Sequence, residues 1–363
     1  MNHPNEKRFA EAPMLVYWEL TQSCDLACKH CRAEAIENRN PFELTFTEAR
    51  QCVDQMTEFP HKPHIILTGG DPLNYPWLEE LIAYIREKGI TVSLAPSATH
   101  NLNRDFLKRI RDTGVQVMSL SIDGHNAATH DGFRQVEGCF EDTMECAAYM
   151  EELGIPVQIN TLLCNETFES LEPIYRLIHR WENVMRWSIF FLIETGRGAK
   201  LYSISPKEAE AVMEWVYDKS KEAPFDIKTT EAPHYRRVAW KKVTEGGYDM
   251  EEAPPSVTRG WSIRDGNGIM FISHIGHVYP SGFLPVKAGN VRRQSPVEIY
   301  RNSEVFTNIR NPDLYKGKCG YCSFRYMCGG SRARAYGWSG DYMGSDPLCI
   351  YKPKEQEEPV ALS

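Results

Sequence analysis

The chain has 363 residues, room for two domains or for one barrel with an extension, and its 42% apolar and 25% charged content is ordinary for a globular protein with an ample core. A formal net charge of −8 sets aside a general nucleic-acid binder, and no apolar run approaches the length of a membrane span. Residues 1–13 are polar and lack the apolar segment of a secretory signal. Eleven cysteines cluster towards the two ends of this long chain, which points to metal binding in a reducing cytoplasm rather than to a disulfide framework.

The first apolar run, residues 15–20, reads as a strand, and the loop after it carries Cys24, Cys28 and Cys31. A closed zinc site wants four ligands, usually from two paired knuckles. A cubic iron–sulfur cluster also takes four, so three protein thiolates leave one iron open to an outside ligand. A zinc knuckle and plain core cysteines are the rival readings. Further strands are expected at 64–68, 90–94, 116–122, 157–162 and 187–192. Amphipathic stretches lie between them near 45–58, 75–88, 104–112, 140–153 and 169–181. A sixth follows at 206–220, with Ser205 as its cap and Pro206 in its first turn. Strands alternating with helices imply an α/β fold with a parallel sheet. In a barrel built this way the site lies at the C-terminal ends of the strands, where the cysteine loop falls.

Other strand ends carry polar groups. Gly69-Gly70-Asp71-Pro72 follows the second strand, and its glycines allow close backbone approach; a plain Gly-Pro turn is the rival. Ser121 ends the fourth strand and Arg134 follows shortly after; a polar turn with a solvated Arg is the bland reading. Asn160 and Thr161 sit on the fifth strand, and Ser97 follows the third. Cys52, Cys139, Cys146 and Cys164 show no metal spacing.

The CxxxCxxC spacing of Cys24, Cys28 and Cys31 resembles the radical S-adenosylmethionine (SAM) family. That resemblance implies a [4Fe–4S] cluster whose open iron is chelated by the amino and carboxylate groups of SAM. It implies reductive cleavage of SAM to methionine and a 5′-deoxyadenosyl radical, which takes hydrogen from a substrate. A reductant such as flavodoxin or ferredoxin comes with it. The six strand–helix units match the partial (β/α)6 TIM barrel of this family over residues 14–200. Gly69, Gly70 and Asp71 then stand where the SAM ammonium is held, with Asp in place of the commoner Glu. Ser121 and Arg134 inherit the SAM carboxylate, Arg because its planar fork donates two bonds. Asn160 reaches the SAM ribose or amine.

Residues 201–258 are charged and proline-punctuated and read as a bridge. Within it His234, Tyr235, Arg236 and Arg237 form a stiff loop suited to an anionic aromatic substrate: Arg for carboxylates, Tyr for stacking, His for an axial bond to haem iron. A solvated linker is the rival. Residues 259–352 change character, with a hairpin over 270–280 that turns at Ile275-Gly276. Cys319, Cys322, Cys328 and Cys349 then have the spacing of a four-ligand metal site, with closed zinc as the alternative. Together with the first motif they resemble the SPASM extension of radical SAM maturases. That extension usually has two auxiliary clusters; here Ser281 and Ser331 stand where cysteines are usual, which implies one auxiliary [4Fe–4S] cluster. Residues 328–336 and 346–349, with the loop around Glu231, where Cys is often found, are similar to haem-biosynthetic radical SAM enzymes. Those trim tetrapyrrole side chains. The resemblance therefore implies an enzyme that modifies a tetrapyrrole side chain, by oxidative decarboxylation of a propionate, in the cytoplasm. A SPASM maturase acting on a ribosomally made peptide is the alternative, and a non-catalytic zinc or electron-transfer protein a third. Residues 1–13 and 353–363 are expected to be tails, the latter disordered.

Overall fold

A computed structural model of the chain describes residues 4–246 and 263–354. One ten-stranded sheet organises it, in the order β10-β9-β8-β1-β2-β3-β4-β5-β6-β7. The strands are β1 (Leu15–Glu19), β2 (His64–Thr68), β3 (Thr91–Leu94), β4 (Met118–Ser121), β5 (Val157–Leu163), β6 (Val184–Phe191), β7 (Asp226–Thr230), β8 (Ile269–Ile272), β9 (His277–Tyr279) and β10 (Gly289–Asn290). From β1 to β7 every neighbouring pair is parallel. β8 joins the other side of β1, also parallel, and β9 and β10 follow antiparallel.

Side chains alternate across the strands, and the two faces have opposite chemistry. Val16, Trp18, Ile65, Leu67, Val92, Ile159, Trp187 and Ile227 are fully buried in the core. There they pack with helices that include Phe46–Met56, Leu78–Glu87 and Pro206–Lys219. The alternate residues Tyr17, Ile66, Ser119, Gln158, Asn160, Arg186 and Lys228 line a cavity instead. Thr45 opens helix Phe46–Met56 and Ser205 opens helix Pro206–Lys219, through capping boxes with Glu48 and Glu208 respectively, and Pro206 fills the first turn as expected.

Three stretches differ from the sequence expectation. The sheet has a seventh parallel strand, β7, inside the stretch read as a bridge. Its sequence, Asp226-Ile227-Lys228-Thr229-Thr230, shows one buried apolar residue, because the others face or border the cavity. The loop of His234 to Arg237 is the start of a helix, Tyr235–Glu245, which Pro233 precedes. Residues 1–13 are not a bare tail: helix Pro4–Glu11 docks Phe9, which is 2% exposed. The bridge residues 247–262 and the tail beyond 354 lie outside the described residues. The expected hairpin is present as β8 and β9, but it extends the main sheet through β1. Among the described residues no helix is long and apolar enough to cross a membrane.

Tyr300 ties the N-terminal helix down: its hydroxyl donates to the Phe9 carbonyl at 2.6 Å and accepts from Gly268 N at 3.1 Å. Tyr300→Phe strands both buried partners, so denaturant unfolding should show a loss of about 1–3 kcal/mol. A loss under about 0.5 kcal/mol would mean that neither bond matters to the fold.

Candidate active site

A cavity of about 740 Å³ lies on the polar face of the sheet. Cys24, Cys28 and Cys31 line it where β1 ends, and Gly69, Gly70, Ser97 and Asp123 line it where β2, β3 and β4 end. The three thiols thus converge at the C-terminal mouth of the parallel strands. Leu26 N and Ala35 N point at the sulfurs of Cys24 and Cys31, each at 3.4 Å. The Ser97 hydroxyl lies 3.6 Å from Cys24 Sγ, and Arg134 Nη1 donates to Cys28 Sγ at 3.6 Å. Leu26, Ala35 and Val136 wrap the sulfurs in an apolar shell. Burial pushes the Cys24 thiol up to about 11. Sulfurs so enclosed, with donors aimed at them, fit thiolate ligands of a cationic iron cluster better than free thiols.

Gly69 and Gly70 are needed for contact with the cysteine loop. A Cβ on Gly70 would sit 2.3 Å from Ser23 O, and one on Gly69 2.7 Å from Thr21 O. Gly70 N donates to Thr21 O and Asp71 N to Ser23 O, both at 2.7 Å. Asp71 itself does not line the cavity. Its carboxylate accepts from Leu73 N, Ser97 N and Thr99 Oγ1, at 3.1, 3.3 and 3.2 Å, and so knots the β2 and β3 loops together. The expectation that Asp71 meets the SAM ammonium is replaced by this scaffolding role. A buried carboxylate accepting three bonds has little left to offer a ligand.

Arg134 also has partners other than those expected. Its Nη2 lies 2.5 Å from Asp123 Oδ2, and both side chains are buried. Asp123 Oδ1 accepts from Leu162 N at 2.7 Å. Burial pushes the Asp123 carboxyl up, but Arg134, His30 and His130 together hold it below the usual range. Ser121 and Asn160 line the cavity in register with each other, and Asn160 Oδ1 accepts from Gln158 Nε2 at 2.9 Å. Thr161 faces away, donating to Ile122 O and accepting from Trp187 Nε1.

Four residues of the site escaped sequence reasoning. Arg197, after β6, donates to Cys28 O at 3.0 Å and Ala35 O at 3.2 Å, clamping the cysteine loop. Its signal was Thr195-Gly196-Arg197-Gly198 directly after a strand; Gly196 has φ +54, and a Cβ there would meet Cys31 O at 2.6 Å. His30 lines the cavity and stacks on Phe133 at 4.9 Å; burial pushes its imidazole down to about 4, so it is neutral. Arg32 reaches back to Glu19 at 2.7 Å, and Glu19 also bonds His274 at 2.5 Å, joining the loop to the β8–β9 turn. Cys139 lines the cavity beside Cys28, with its sulfur 3.6 Å from His130 Nε2.

The opposite wall is charged. Arg186, Lys228, Tyr235, Arg236, Glu231 and Asp265 line it. Glu231 sits at φ +58 and accepts from Ser331 Oγ at 2.6 Å. Burial and the neighbouring Asp265 charge raise its carboxyl well above the usual range. Asp265 in turn accepts from Arg332 N and Ala333 N, at 3.1 and 3.0 Å. Arg236 donates to Met327 O at 3.2 Å and Ile263 O at 2.5 Å. His234 and Arg237 do not line this wall. His234 is fully buried against Phe191, 3.9 Å from Asp346, and burial pushes it down to about 4. Arg237 pairs with Glu210 on helix Pro206–Lys219 and lies over the Tyr351 ring. Two of the four expected substrate residues are therefore packing residues.

Near Gly330 and Ser331 lies the C-terminal set of cysteines, Cys319, Cys322, Cys328 and Cys349. Cys322 packs against Cys328, and the Cys319 sulfur lies 3.3 Å from where a Cβ on Gly330 would sit; burial first, then the Cys349 charge, raises the Cys328 thiol. Gly330 N points at Cys328 Sγ at 3.4 Å, and Arg332 Nη2 donates to Cys319 Sγ at 3.6 Å. Donors aimed at sulfur recur here as at the first set, and a thiolate donor set suits an iron–sulfur cluster. Among the described residues no three His, Cys, Asp or Glu side chains are grouped to hold a single metal ion.

The radical SAM superfamily profile matches residues 18–178. The AdoMet-dependent heme synthase of Nitratidesulfovibrio vulgaris is 42% identical over 345 residues, spanning 94% of this chain and 93% of its own length. The AdoMet-dependent heme synthase of Methanosarcina barkeri is 38% identical, over 94% of this chain and 97% of its own. Among solved structures, SuiB of Streptococcus suis bound to precursor peptide SuiA matches with a TM-score of 0.71 over 95% of this chain and 78% of that one; at 16% identity this is a likeness of fold alone. With sequence identity of this order over nearly the whole length, and three thiols gathered at the C-terminal mouth of a parallel sheet, the chain belongs to the radical SAM superfamily.

Proposed function

We propose that this enzyme modifies a tetrapyrrole side chain, by oxidative decarboxylation of a propionate. The observation that supports it is one cavity with three cysteine thiols at its mouth and basic side chains, Arg186, Lys228 and Arg236, on the facing wall. Relatives named heme synthases at 38–42% identity add to it. For the peptide-maturase alternative, a mycofactocin maturase and a PqqA peptide cyclase stand at 24–25% identity.

Cys24, Cys28 and Cys31 would hold a [4Fe–4S] cluster, with SAM at the open iron. That pair, when bound, supplies a 5′-deoxyadenosyl radical able to take a hydrogen atom from carbon. The chain's own residues prepare the place. Arg197 and the Gly69-Gly70 contact fix the cysteine loop. Arg134 donates to the Cys28 sulfur, which stabilises a thiolate there. Ser121 and Asn160 face the same space as SAM ligands. The apolar shell around the sulfurs keeps water from a reactive radical. Cys319, Cys322, Cys328 and Cys349 would hold a second, protein-ligated cluster behind the Gly330-Ser331 wall. The substrate's overall change is loss of one hydrogen atom to the deoxyadenosyl radical, of carbon dioxide, and of one electron, leaving a vinyl group; the second cluster, when bound, would be the acceptor of that electron. A flavodoxin or ferredoxin is the proposed electron donor, and a reducing cytoplasm the setting, in keeping with eleven free cysteines.

The test is anaerobic incubation of reconstituted protein with SAM, a reductant and a propionate-bearing haem precursor. Formation of 5′-deoxyadenosine together with a vinyl product by mass is the expected result. Modification of a ribosomal peptide, with no change in any tetrapyrrole, would refute the reading.

Burial of His234 gives a further expectation. His234→Ala should leave the absorption band of bound haem in place, because the imidazole cannot reach a ligand in the cavity. A shift of that band on substitution would return His234 to the role of iron ligand.

A further inference from the structure

Lys228 lines the cavity wall with no hydrogen bond or ion pair among the described residues. Arg32 pairs with Glu19, Arg134 with Asp123, and Arg186 with Asp226 at 3.3 Å. Arg197 and Arg236 each donate to two backbone carbonyls. The Lys228 side chain, by contrast, is half-buried on the cavity wall. An ammonium with no partner and with cationic neighbours is unfavourable, and a carboxylate of a ligand would complete it.

Its position fits that use. Lys228 is in register with Ser188, Ser188 with Asn160, and Asn160 with Ser121. It therefore sits in the same row as the residues assigned to SAM, three strands further along the sheet. Around it stand Arg186 from β6, Arg236 from helix Tyr235–Glu245 and Glu231 from the loop after β7. Burial first, then the two arginines, push the amine down to about 8, with Glu231 acting the other way. At neutral pH the group is mostly an ammonium, in surroundings that a carboxylate would relieve.

We propose that Lys228 binds a carboxylate of the substrate, and so sets which side chain of that substrate lies before the cysteine mouth. This rests on the tetrapyrrole reading above, whose propionates are the carboxylates in question. A neutral side chain at 228 would lose the anchor, and a guanidinium there would keep it.

The experiment is equilibrium absorption titration of the reconstituted protein with two probes: a porphyrin bearing free propionates, and the same porphyrin with its propionates methylated. Lys228→Met and Lys228→Gln should weaken binding of the free acid roughly tenfold or more, with little effect on the ester. Lys228→Arg should restore much of the affinity for the acid. Unchanged binding of the acid to both neutral variants, or equal loss for acid and ester, would overturn the proposal and leave the tetrapyrrole reading standing. Wild-type protein that binds neither probe would instead overturn the tetrapyrrole reading itself.

Discussion

Alanine at Cys24, Cys28 and Cys31 together is expected to halve the iron of the reconstituted protein, from about eight to about four per chain, and to abolish 5′-deoxyadenosine formation. Alanine at Cys319, Cys322 and Cys328 is expected to remove the other half while some SAM cleavage survives. The difference follows from place. The first three sulfurs line the cavity, whereas the second set stands behind its wall. Iron and sulfide analysis with product chromatography reads both results. Stoichiometric zinc in anaerobically prepared protein, or unchanged iron in either triple variant, would defeat the assignment of two clusters.

Arg134→Met is expected to be the most damaging single change near the site. It leaves the Asp123 carboxylate buried with Leu162 N and without its 2.5 Å cation, and removes the donor to Cys28. Breaking one side of a buried pair costs about 3–5 kcal/mol. Adding Asp123→Asn should recover part of that, because a neutral amide tolerates burial better. Thermal unfolding of the single and double variants gives the comparison. If Arg134→Met alone unfolds within about 0.5 kcal/mol of wild type, the pair is solvated and the argument fails.

The gathering of Cys24, Cys28 and Cys31 after the first strand was legible because their spacing and their place at a strand end are displayed directly by the sequence. The first six strands were legible because one face of each carries Val, Ile, Leu or Trp. β7 was not, since its cavity-facing residues are polar and only Ile227 is fully buried. The stretch from His234 to Arg237 misled for a related reason. Once it is helical, positions three apart share a face, so His234 and Arg237 turn to the protein interior together while Arg236 alone lines the cavity with Tyr235. Asp71 has the right residue type at a strand end, but three donors from neighbouring loops occupy it. Such tertiary competition for a side chain leaves no mark in the local sequence.

The pairing of β8 with β1 also bears on how the chain is made. Leu15–Trp18 must wait for Ile269–Ile272, about 250 residues later, before its second edge is covered. During synthesis an apolar parallel strand therefore stays raw on one side until Ile269–Ile272 have left the ribosome. A chain cut after residue 246 would keep that edge exposed, free to pair with other copies and aggregate. Insertion of iron into the first cysteine loop and completion of the last strands thus become steps that a cell has to order in time.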